Sequence, residues 1–252
     1  MRLNVYISHH SAYSRREADE LIKQGRVNIE RQKANLGDSI DEGQRVFIDG
    51  KPLAKAKEEQ YTAIVYHKPK GELVSKKDDR GRRVIYQSLG KKYNGFVPVG
   101  RLDFASEGLL ILSDSKKVVH ALMHSDLERE YIIKIDTFIT QEMIESMQQG
   151  LSLKDTKNGA HKLSKITTMT IAPFVRYEIL KNTPHHSRLK VTLTEGQNRE
   201  LRRFFGHFKA NVLDLRRVRY GWIHLNHLPV GKVRFLQRDE YKQLRVFLDS
   251  RI

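Results

Sequence analysis

The 252-residue chain contains no cysteine, and this absence removes several classes of protein from consideration. It excludes a disulfide framework, a thiolate nucleophile, an iron–sulfur cluster and a zinc site with cysteine ligands. The chain also lacks the run of about 18 apolar residues that a membrane-spanning helix requires. Its first residues, MRLNVYISHHSAYSRREADE, lack the uninterrupted apolar core of a secretory signal. We therefore expect a soluble cytoplasmic protein without a membrane partner.

Acidic side chains are too few to balance the basic ones. The chain has 46 Lys and Arg against 30 Asp and Glu, a formal net charge of +16. Residues 1–60 are nearly neutral, with 11 basic and 10 acidic side chains, so the excess lies in residues 61–252. It is concentrated in Lys68–Lys92 and Arg199–Arg219. Because each phosphate neutralised by Lys or Arg releases a counterion, this excess favours a nucleic-acid partner over a merely solvated surface.

Residues 1–53 have the pattern of a small αβ unit. A capping box formed by Ser14 and Glu17 begins a helix, and Gly25 stands where its C-cap belongs. Two alternating segments, 26–29 and 45–50, are typical of half-buried strands. The polar stretch that follows lacks an apolar period, and we interpret residues 54–60 as a linker.

Residues 61–252 indicate an α+β domain. Strand candidates outnumber helix candidates and come in clusters, which favours a mixed, mainly antiparallel sheet with flanking helices over a βαβ array. The predicted strands are 62–66, 108–112, 130–135, 165–171, 188–194 and 211–218. The predicted helices are 116–123, 141–149, 198–208 and 239–248.

One segment, GRLDFASEGLLILSD at 100–114, presents charged side chains on a turn between apolar strands. Asp103 on this turn can be a nucleophile, a general base, a metal ligand or simply a turn former, and spacing alone favours the last. A metal site elsewhere is not indicated. His120 and His124 have a zinc-like spacing, but the stretch HALMH lacks the glutamate of the metalloprotease motif.

The N-terminal unit resembles the RNA-binding domain first described in ribosomal protein S-four. The matching residues are RLNVYISHHSAYSRREADELIKQGRVNIERQ and GDSIDEGQRVFIDGKPL, which together span almost all of 2–53. The resemblance implies that its helix contacts RNA phosphates, and the candidate contacts are Arg15, Arg16, Lys23 and Arg26.

The rest of the chain resembles the pseudouridine synthases, in the branch that joins an S-four-type domain to the enzyme domain. GRLDFASEGLLILSD is similar to the catalytic motif of that family. Four further segments agree in order: YHKPKG at 66–71, EREY at 128–131, EGQNRELRRFF at 195–205 and LRRVRYG at 215–221. The resemblance implies the pseudouridine synthase fold for residues 61–252.

The activity that this resemblance implies is the isomerisation of uridine in RNA to its C-glycoside, without cofactor or metal. Asp103 matches the essential aspartate, which either attacks C1′ or removes a proton. Arg202 matches the cation that holds this carboxylate charged and aimed. Tyr131 matches the active-site tyrosine that stacks on the target base.

Other residues are candidates for RNA and base contacts. Arg101 would point the same way as Asp103 and fill the gap left by an extruded nucleotide. Lys68, Arg199 and Arg203 are further candidate RNA contacts. Leu201 lines the base pocket or belongs to the core, two interpretations that the sequence supports about equally.

The C-terminal motif departs from the common pattern, since Gln197 stands where arginine is usual. The Asn198-Arg199-Glu200 variant and the Arg219–Gly221 ending resemble members that act on large-subunit ribosomal RNA. We therefore expect a monomeric enzyme that acts on large-subunit ribosomal RNA or a pre-ribosomal particle. The alternatives are the same reaction on small-subunit RNA and a non-catalytic assembly factor that only binds ribosomal RNA.

Overall fold

The computed structural model describes residues 1–11, 13–41, 43–53, 61–161 and 164–250. The chain folds into two compact units, Met1–Tyr61 and Thr62–Ile252. The predicted linker, residues 54–60, lies outside the described residues. Within the described residues, no helix is both long enough and apolar enough to span a membrane.

The first unit packs two helices on a small antiparallel sheet of four strands, in which the strand that begins at Val27 pairs with the strands that begin at Gln32 and Val46. The predicted capping box is confirmed: Ser14 Oγ accepts from the Glu17 backbone, and the Glu17 carboxylate accepts from the Ser14 backbone at 2.6 Å. Gly25 follows the second helix with φ of +67°, a left-handed conformation that favours glycine. The elements are α1 (Leu3–His10), α2 (Arg15–Lys23), β1 (Val27–Ile29), β2 (Gln32–Lys33), β3 (Val46–Ile48) and β4 (Lys51–Pro52).

The second unit is built on a nine-stranded mixed sheet, which confirms the predicted fold class. Its strands are β5 (Ala63–Lys68), β6 (Val97–Pro98), β7 (Glu107–Ser113), β8 (Arg129–Ile135), β11 (Arg176–Asn182), β12 (Ser187–Leu193), β13 (Val212–Tyr220), β14 (Ile223–His224) and β15 (Val233–Phe235). The main order is β11-β12-β8-β13-β7-β5-β15, with β14 paired to β13 and β6 paired to β7. A separate hairpin pairs β9 (Leu151–Leu153) with β10 (Met169–Ile171).

Helices cover parts of this sheet. They are α3 (Ile85–Leu89), α4 (Lys116–Met123), α5 (Gln141–Gln149), α6 (Glu200–His207) and α7 (Arg238–Asp249), with a 3₁₀ turn at Lys91–Tyr93. One core packs α5 and α6 against β8, β12 and β13, and another packs α3 against β5 and β7. Helix α6 is buried from Glu200 to Gly206, so its charged side chains need partners inside the protein.

Strands β13 and β7 form a parallel pair, whereas the neighbouring pairs of this sheet are antiparallel. Arg216 pairs with Glu107 and Arg217 pairs with Gly108. Gly108 has φ of +112°, and a Cβ there would collide with the carbonyl oxygen of Arg217. Glycine at 108 therefore allows the two strands to approach each other closely.

Candidate active site

Asp103 lies in the loop that joins β6 to β7, beside the parallel pair. Its carbonyl accepts a hydrogen bond from the backbone of Ser106 at 3.0 Å, which closes the turn. The turn thus has the form that the sequence indicated, and the Asp103 side chain remains 29% exposed at the edge of a cavity. The backbone holds the carboxylate in a fixed place while leaving it accessible.

Lys68 binds backbone carbonyl oxygens of this loop. Its Nζ donates to the carbonyl oxygens of Pro69, Asp103 and Ser106 at 2.8, 3.2 and 2.9 Å, and the residue is fully buried. Burial lowers the pKa of Lys68 to about 8, although nearby carboxylates oppose the shift. The predicted RNA contact of Lys68 is therefore wrong, because its charge is engaged by backbone carbonyls and cannot reach a phosphate.

Two arginines of the α6 region face the Asp103 carboxylate. Arg199 Nη1 donates to Asp103 Oδ2 at 3.2 Å, and Arg202 Nε lies 3.6 Å from the same oxygen. Arg202 also donates to the carbonyl oxygens of Ala105 and Val212 and to the Ser106 hydroxyl. Burial and the neighbouring Arg199 charge lower the pKa of Arg202. The sequence indicated Arg202 in this position, whereas it assigned Arg199 to RNA.

Arg199 reaches Asp103 from an unusual backbone conformation. Its φ is +53°, in the left-handed region that non-glycine residues rarely adopt. Its Nε donates to the carbonyl oxygen of Gly159 at 2.8 Å, so the Arg199 guanidinium links the Gly159 backbone to the Asp103 carboxylate. Gly159 itself passes so close to α6 that a Cβ would collide with the Arg202 carbonyl. Strain of this kind is common at functional sites.

A cavity of about 260 Å³ opens beside Asp103. Tyr131 and Leu201 line it and are 8% and 4% exposed, so both present a face to the cavity from within the core. Arg101 lies at its exposed rim. Arg202 touches Asp103 without itself lining the cavity. The structure thus brings together six candidate site residues that the sequence singled out: Asp103, Tyr131, Arg202, Leu201, Arg101 and Arg199.

Three charged residues of the cavity wall were not predicted from the sequence, and two of them are arginines. Arg129 donates to the Tyr220 hydroxyl at 2.9 Å, and its guanidinium lies over that ring. Arg217 donates through Nε to the Leu109 carbonyl at 2.8 Å, but its Nη2 is buried without a hydrogen-bond partner among the described residues. The sequence signal that could have identified Arg129 and Arg217 was their position in the motifs EREY and LRRVRYG.

Glu200, at the start of α6, is the third of these residues and is a buried carboxylic acid. It is 5% exposed, and the Gln197 backbone donates to it at 3.0 Å. Burial raises the pKa of Glu200 to about 7, with the Glu195 charge adding to the shift and Arg129 opposing it.

Arg203 is turned away from the cavity and is fully buried. It donates to Asn198, to the Thr156 carbonyl at 2.8 Å and to the Ser164 hydroxyl at 2.8 Å. The predicted RNA contact of Arg203 is therefore wrong, because this side chain ties α6 to a preceding segment of its own unit.

The basic residues singled out in the first unit are exposed. Arg15 and Arg16 lie in the first turn of α2. Lys23 pairs with Glu20 at 2.7 Å, and Arg26 forms a two-pronged pair with Asp49. Across the described ranges of the chain, no three His, Asp or Glu side chains gather as a metal site would require.

Comparison with known proteins agrees with this geometry. The pattern of the RNA pseudouridylate synthase family matches residues 62–207, and that of the S4 domain matches residues 1–46. An "Uncharacterized RNA pseudouridine synthase" of Helicobacter pylori is 56% identical over 248 residues, which cover 98% of this chain and 95% of that protein.

Two further relatives have more specific names. The "Dual-specificity RNA pseudouridine synthase RluF" of Escherichia coli is 34% identical, over 99% of this chain and 80% of that protein. The "Ribosomal large subunit pseudouridine synthase B" of Bacillus subtilis is 28% identical, over 98% of this chain and 97% of that protein.

A crystal structure of a pseudouridylate synthase shares the fold, with a TM-score of 0.64 at 22% identity. The similarity covers 97% of this chain and 99% of the other. The family pattern spans more than half of the chain, and relatives at 56% and 34% identity match nearly all of it. The chain therefore belongs to the RNA pseudouridine synthases, in the group that carries an N-terminal S4 domain.

Proposed function

We propose that this pseudouridine synthase isomerises a uridine of large-subunit ribosomal RNA and that Asp103 supplies the reacting carboxylate. The observation that carries the proposal is the position of Asp103: it lies at the mouth of a cavity, with two guanidiniums on one carboxylate oxygen. The charge-assisted hydrogen bond from Arg199 and the nearby guanidinium of Arg202 fix the direction of this carboxylate.

The reaction breaks the C1′–N1 bond of uridine and forms a C1′–C5 bond, while the hydrogen at C5 is lost and N1 gains one. Asp103 either adds to C1′ or removes a proton. The base must leave its stack to reach Asp103, which costs a few kcal/mol. In our proposal Tyr131 stacks on the extruded base and Leu201 packs against it. Arg101, at the rim, fills the vacated place in the RNA.

Arg217 is proposed to recognise the base. Uracil presents two carbonyl oxygens, and each needs a donor when it is removed from water. Arg217 lines the cavity wall, and in our proposal its guanidinium turns toward the bound base so that the partnerless Nη2 supplies one. A buried donor without an acceptor costs free energy, and a hydrogen bond to a uracil carbonyl would remove this cost when the base binds.

Support for the large subunit comes from the Bacillus subtilis relative, whose name specifies that subunit, and from the Asn198–Glu200 variant of the C-terminal motif. We also propose that residues 1–53 form the S4 RNA-binding domain and residues 61–252 the catalytic domain. Arg15 and Arg16 would position RNA through its phosphates. Ribosomal RNA as the proposed substrate supports a cytoplasmic location.

Tritium release tests the catalytic proposal. The wild-type enzyme should release tritium from a large-subunit ribosomal RNA transcript that carries 5-tritiated uridine, and Asp103→Asn should not. RNA binding by both proteins is measured in parallel by filter retention. If the wild-type protein binds every ribosomal RNA tested but releases no label, the non-catalytic assembly factor becomes the better assignment.

Mapping of pseudouridines tests the target. RNA from cells with and without the gene is compared across all cellular RNA, because one relative is named as a dual-specificity enzyme. The proposal expects a site in large-subunit RNA to lose its pseudouridine when the gene is absent. A site confined to the small-subunit RNA would contradict it.

A further inference from the structure

The face of the sheet opposite the cavity carries three cations in cross-strand register. Successive side chains of a strand point to opposite faces. Because Tyr131 points toward the cavity and the core, Lys134 points away from them. Lys134 pairs in register with Arg188 on β12, and Arg188 pairs with Lys181 on β11. We call Lys134, Arg188 and Lys181 the cationic row.

The three side chains of the cationic row are exposed. Among the described residues, none of its three members has an ion pair. Asp214 continues the row on β13, but it is held by Lys70 at 2.7 Å. Two further carboxylates on this face are also engaged: Glu130 pairs with Lys190 at 3.2 Å, and Glu107 pairs with Arg216 at 2.5 Å. Glu178, in register with Lys190, is a single exposed carboxylate against the three cations of the row.

This arrangement is unfavourable for the protein alone. Like charges directly opposite each other on neighbouring strands destabilise a sheet. Adjacent strands are about 4.8 Å apart, so the row places three positive charges within roughly 10 Å. His186, which lies beside the row, responds to the resulting potential: its pKa is lowered by burial and by the charges of Lys181 and Lys134.

The row lines a groove of about 330 Å³. A concave surface with one sign of charge focuses its potential and concentrates counterions. None of the described residues that line the groove is Phe, Tyr or Trp, and the ring that the groove offers is that of His186, beside three cations. The chemistry of the groove therefore suits phosphate groups rather than bases. Its lining residues are Ile132, Lys134, Lys181, His186, Arg188, Asp214 and Arg216.

We propose that the cationic row binds the phosphate backbone of the RNA substrate at a second site, on the face of the sheet opposite the cavity. Contacts of this kind add affinity and position the RNA without reading its sequence. The proposal rests on RNA being the substrate, which family membership establishes. It does not rest on the role proposed for Asp103 or on the choice of ribosomal subunit.

The test removes the three charges in the full-length protein with Lys134→Gln, Lys181→Gln and Arg188→Gln together. A matched variant, Arg238→Gln, Lys242→Gln and Arg245→Gln, removes three cations from α7 and so lowers the net charge equally. Binding of a large-subunit ribosomal RNA transcript is measured by filter retention at several salt concentrations. Tritium release is measured on the same proteins, and thermal unfolding checks that both variants fold.

The row variant should bind more weakly, with a slope of log K against log salt reduced by about 2 to 3, since each phosphate contact contributes about 0.7 to 0.9. Its KM should rise while kcat stays near the wild-type value, and the α7 variant should keep the wild-type slope. An unchanged slope in the row variant, or an equal loss in the α7 variant, overturns the proposal. If the wild type releases no tritium but the row variant still shows a reduced slope, the catalytic proposal is rejected and the proposal for the cationic row stands.

Discussion

Arg199 hydrogen-bonds the carboxylate of Asp103 at 3.2 Å from a left-handed backbone conformation. The contact joins residues 96 positions apart in the sequence. The sequence had assigned Arg199 to RNA, but its side chain contacts the candidate catalytic oxygen, Asp103 Oδ2. Arg202 Nε lies farther from the same oxygen, at 3.6 Å. Both guanidiniums therefore act on one oxygen, with different secondary partners that fix each of them.

Replacing Arg199 should damage catalysis more than RNA binding. A hydrogen bond to a charged group contributes about 1.5–3 kcal/mol, so Arg199→Gln should lower kcat by roughly 10- to 100-fold. Arg199→Lys keeps the charge but loses the fork that spans Asp103 and Gly159, and it should recover only part of this loss. Single-turnover tritium release measures the effect. A normal kcat with a raised KM would instead restore the RNA-contact interpretation of Arg199.

Gly159→Ala should destabilise the protein and lower its activity. A side chain here must adopt φ of +75° and collide with the Arg202 carbonyl. The conformational strain costs about 1–2 kcal/mol, and the overpacking adds about 1–3 kcal/mol. Gly81→Ala is the control, because Gly81 has φ of +71° but open space around it. Urea unfolding should give the larger loss for Gly159→Ala, and only that variant should reduce kcat. Equal losses would show that the close approach to α6 is unimportant.

Lys68→Met should lower kcat without changing the salt dependence of RNA binding. The substitution removes the ammonium donor from three carbonyls, and the Asp103 carbonyl keeps only its hydrogen bond from the Ser106 backbone, so the catalytic loop loses much of its support. Loss of a charged donor of this kind corresponds to at least about a 10-fold decrease in kcat. Lys77→Met makes the same chemical change at an exposed neighbour and should leave kcat unchanged. A reduced salt slope in Lys68→Met would mean that Lys68 does contact RNA.

Glu200 should make the protein less stable as the pH rises from about 4.5 to about 7. Its folded pKa of about 7 lies above the ordinary value of 4.5, so the folded state holds a proton that the unfolded state has lost. Stability therefore falls with pH in this window, by up to about 3 kcal/mol. Glu200→Gln cannot ionise, so its stability relative to the wild type should increase across the same range. Urea unfolding of both proteins from pH 5 to pH 8 measures this difference, and a constant difference would refute the assignment.

The sequence predicted the elements whose apolar period is regular. Helices at 116–123 and 141–149 begin and end where expected, because each has a capping residue and one apolar face. The predicted strand at 165–171 is shorter, with only Met169–Ile171 paired. Strand β11 was missed because its side chains are largely exposed and polar, so it lacks the apolar alternation that marks a half-buried strand.

The site was predicted where a motif supplied both residue type and order, as for Asp103 and Tyr131. The roles of other site residues were not predicted, because the three-dimensional surroundings of each side chain, and not a motif, determine them. Arg199, Arg202 and Arg203 lie within five positions of one another, and charge patterning cannot tell which is buried, which faces Asp103 and which binds loop carbonyls. The partners of Arg199 and Arg203, at Gly159 and Thr156, are 40 and 47 residues away in the sequence, so only the folded chain determines their roles.

The parallel contact at Gly108 and Arg217 has a consequence for how the enzyme folds. It joins two halves of the sheet through residues 109 positions apart, and pairings of such high contact order form late. The cavity takes Asp103 from one half and Tyr131 from the other, so neither half alone can hold a complete site. Recovery of tritium release during refolding should therefore lag behind the recovery of secondary structure, and the return of activity should report the formation of the pairing between β7 and β13.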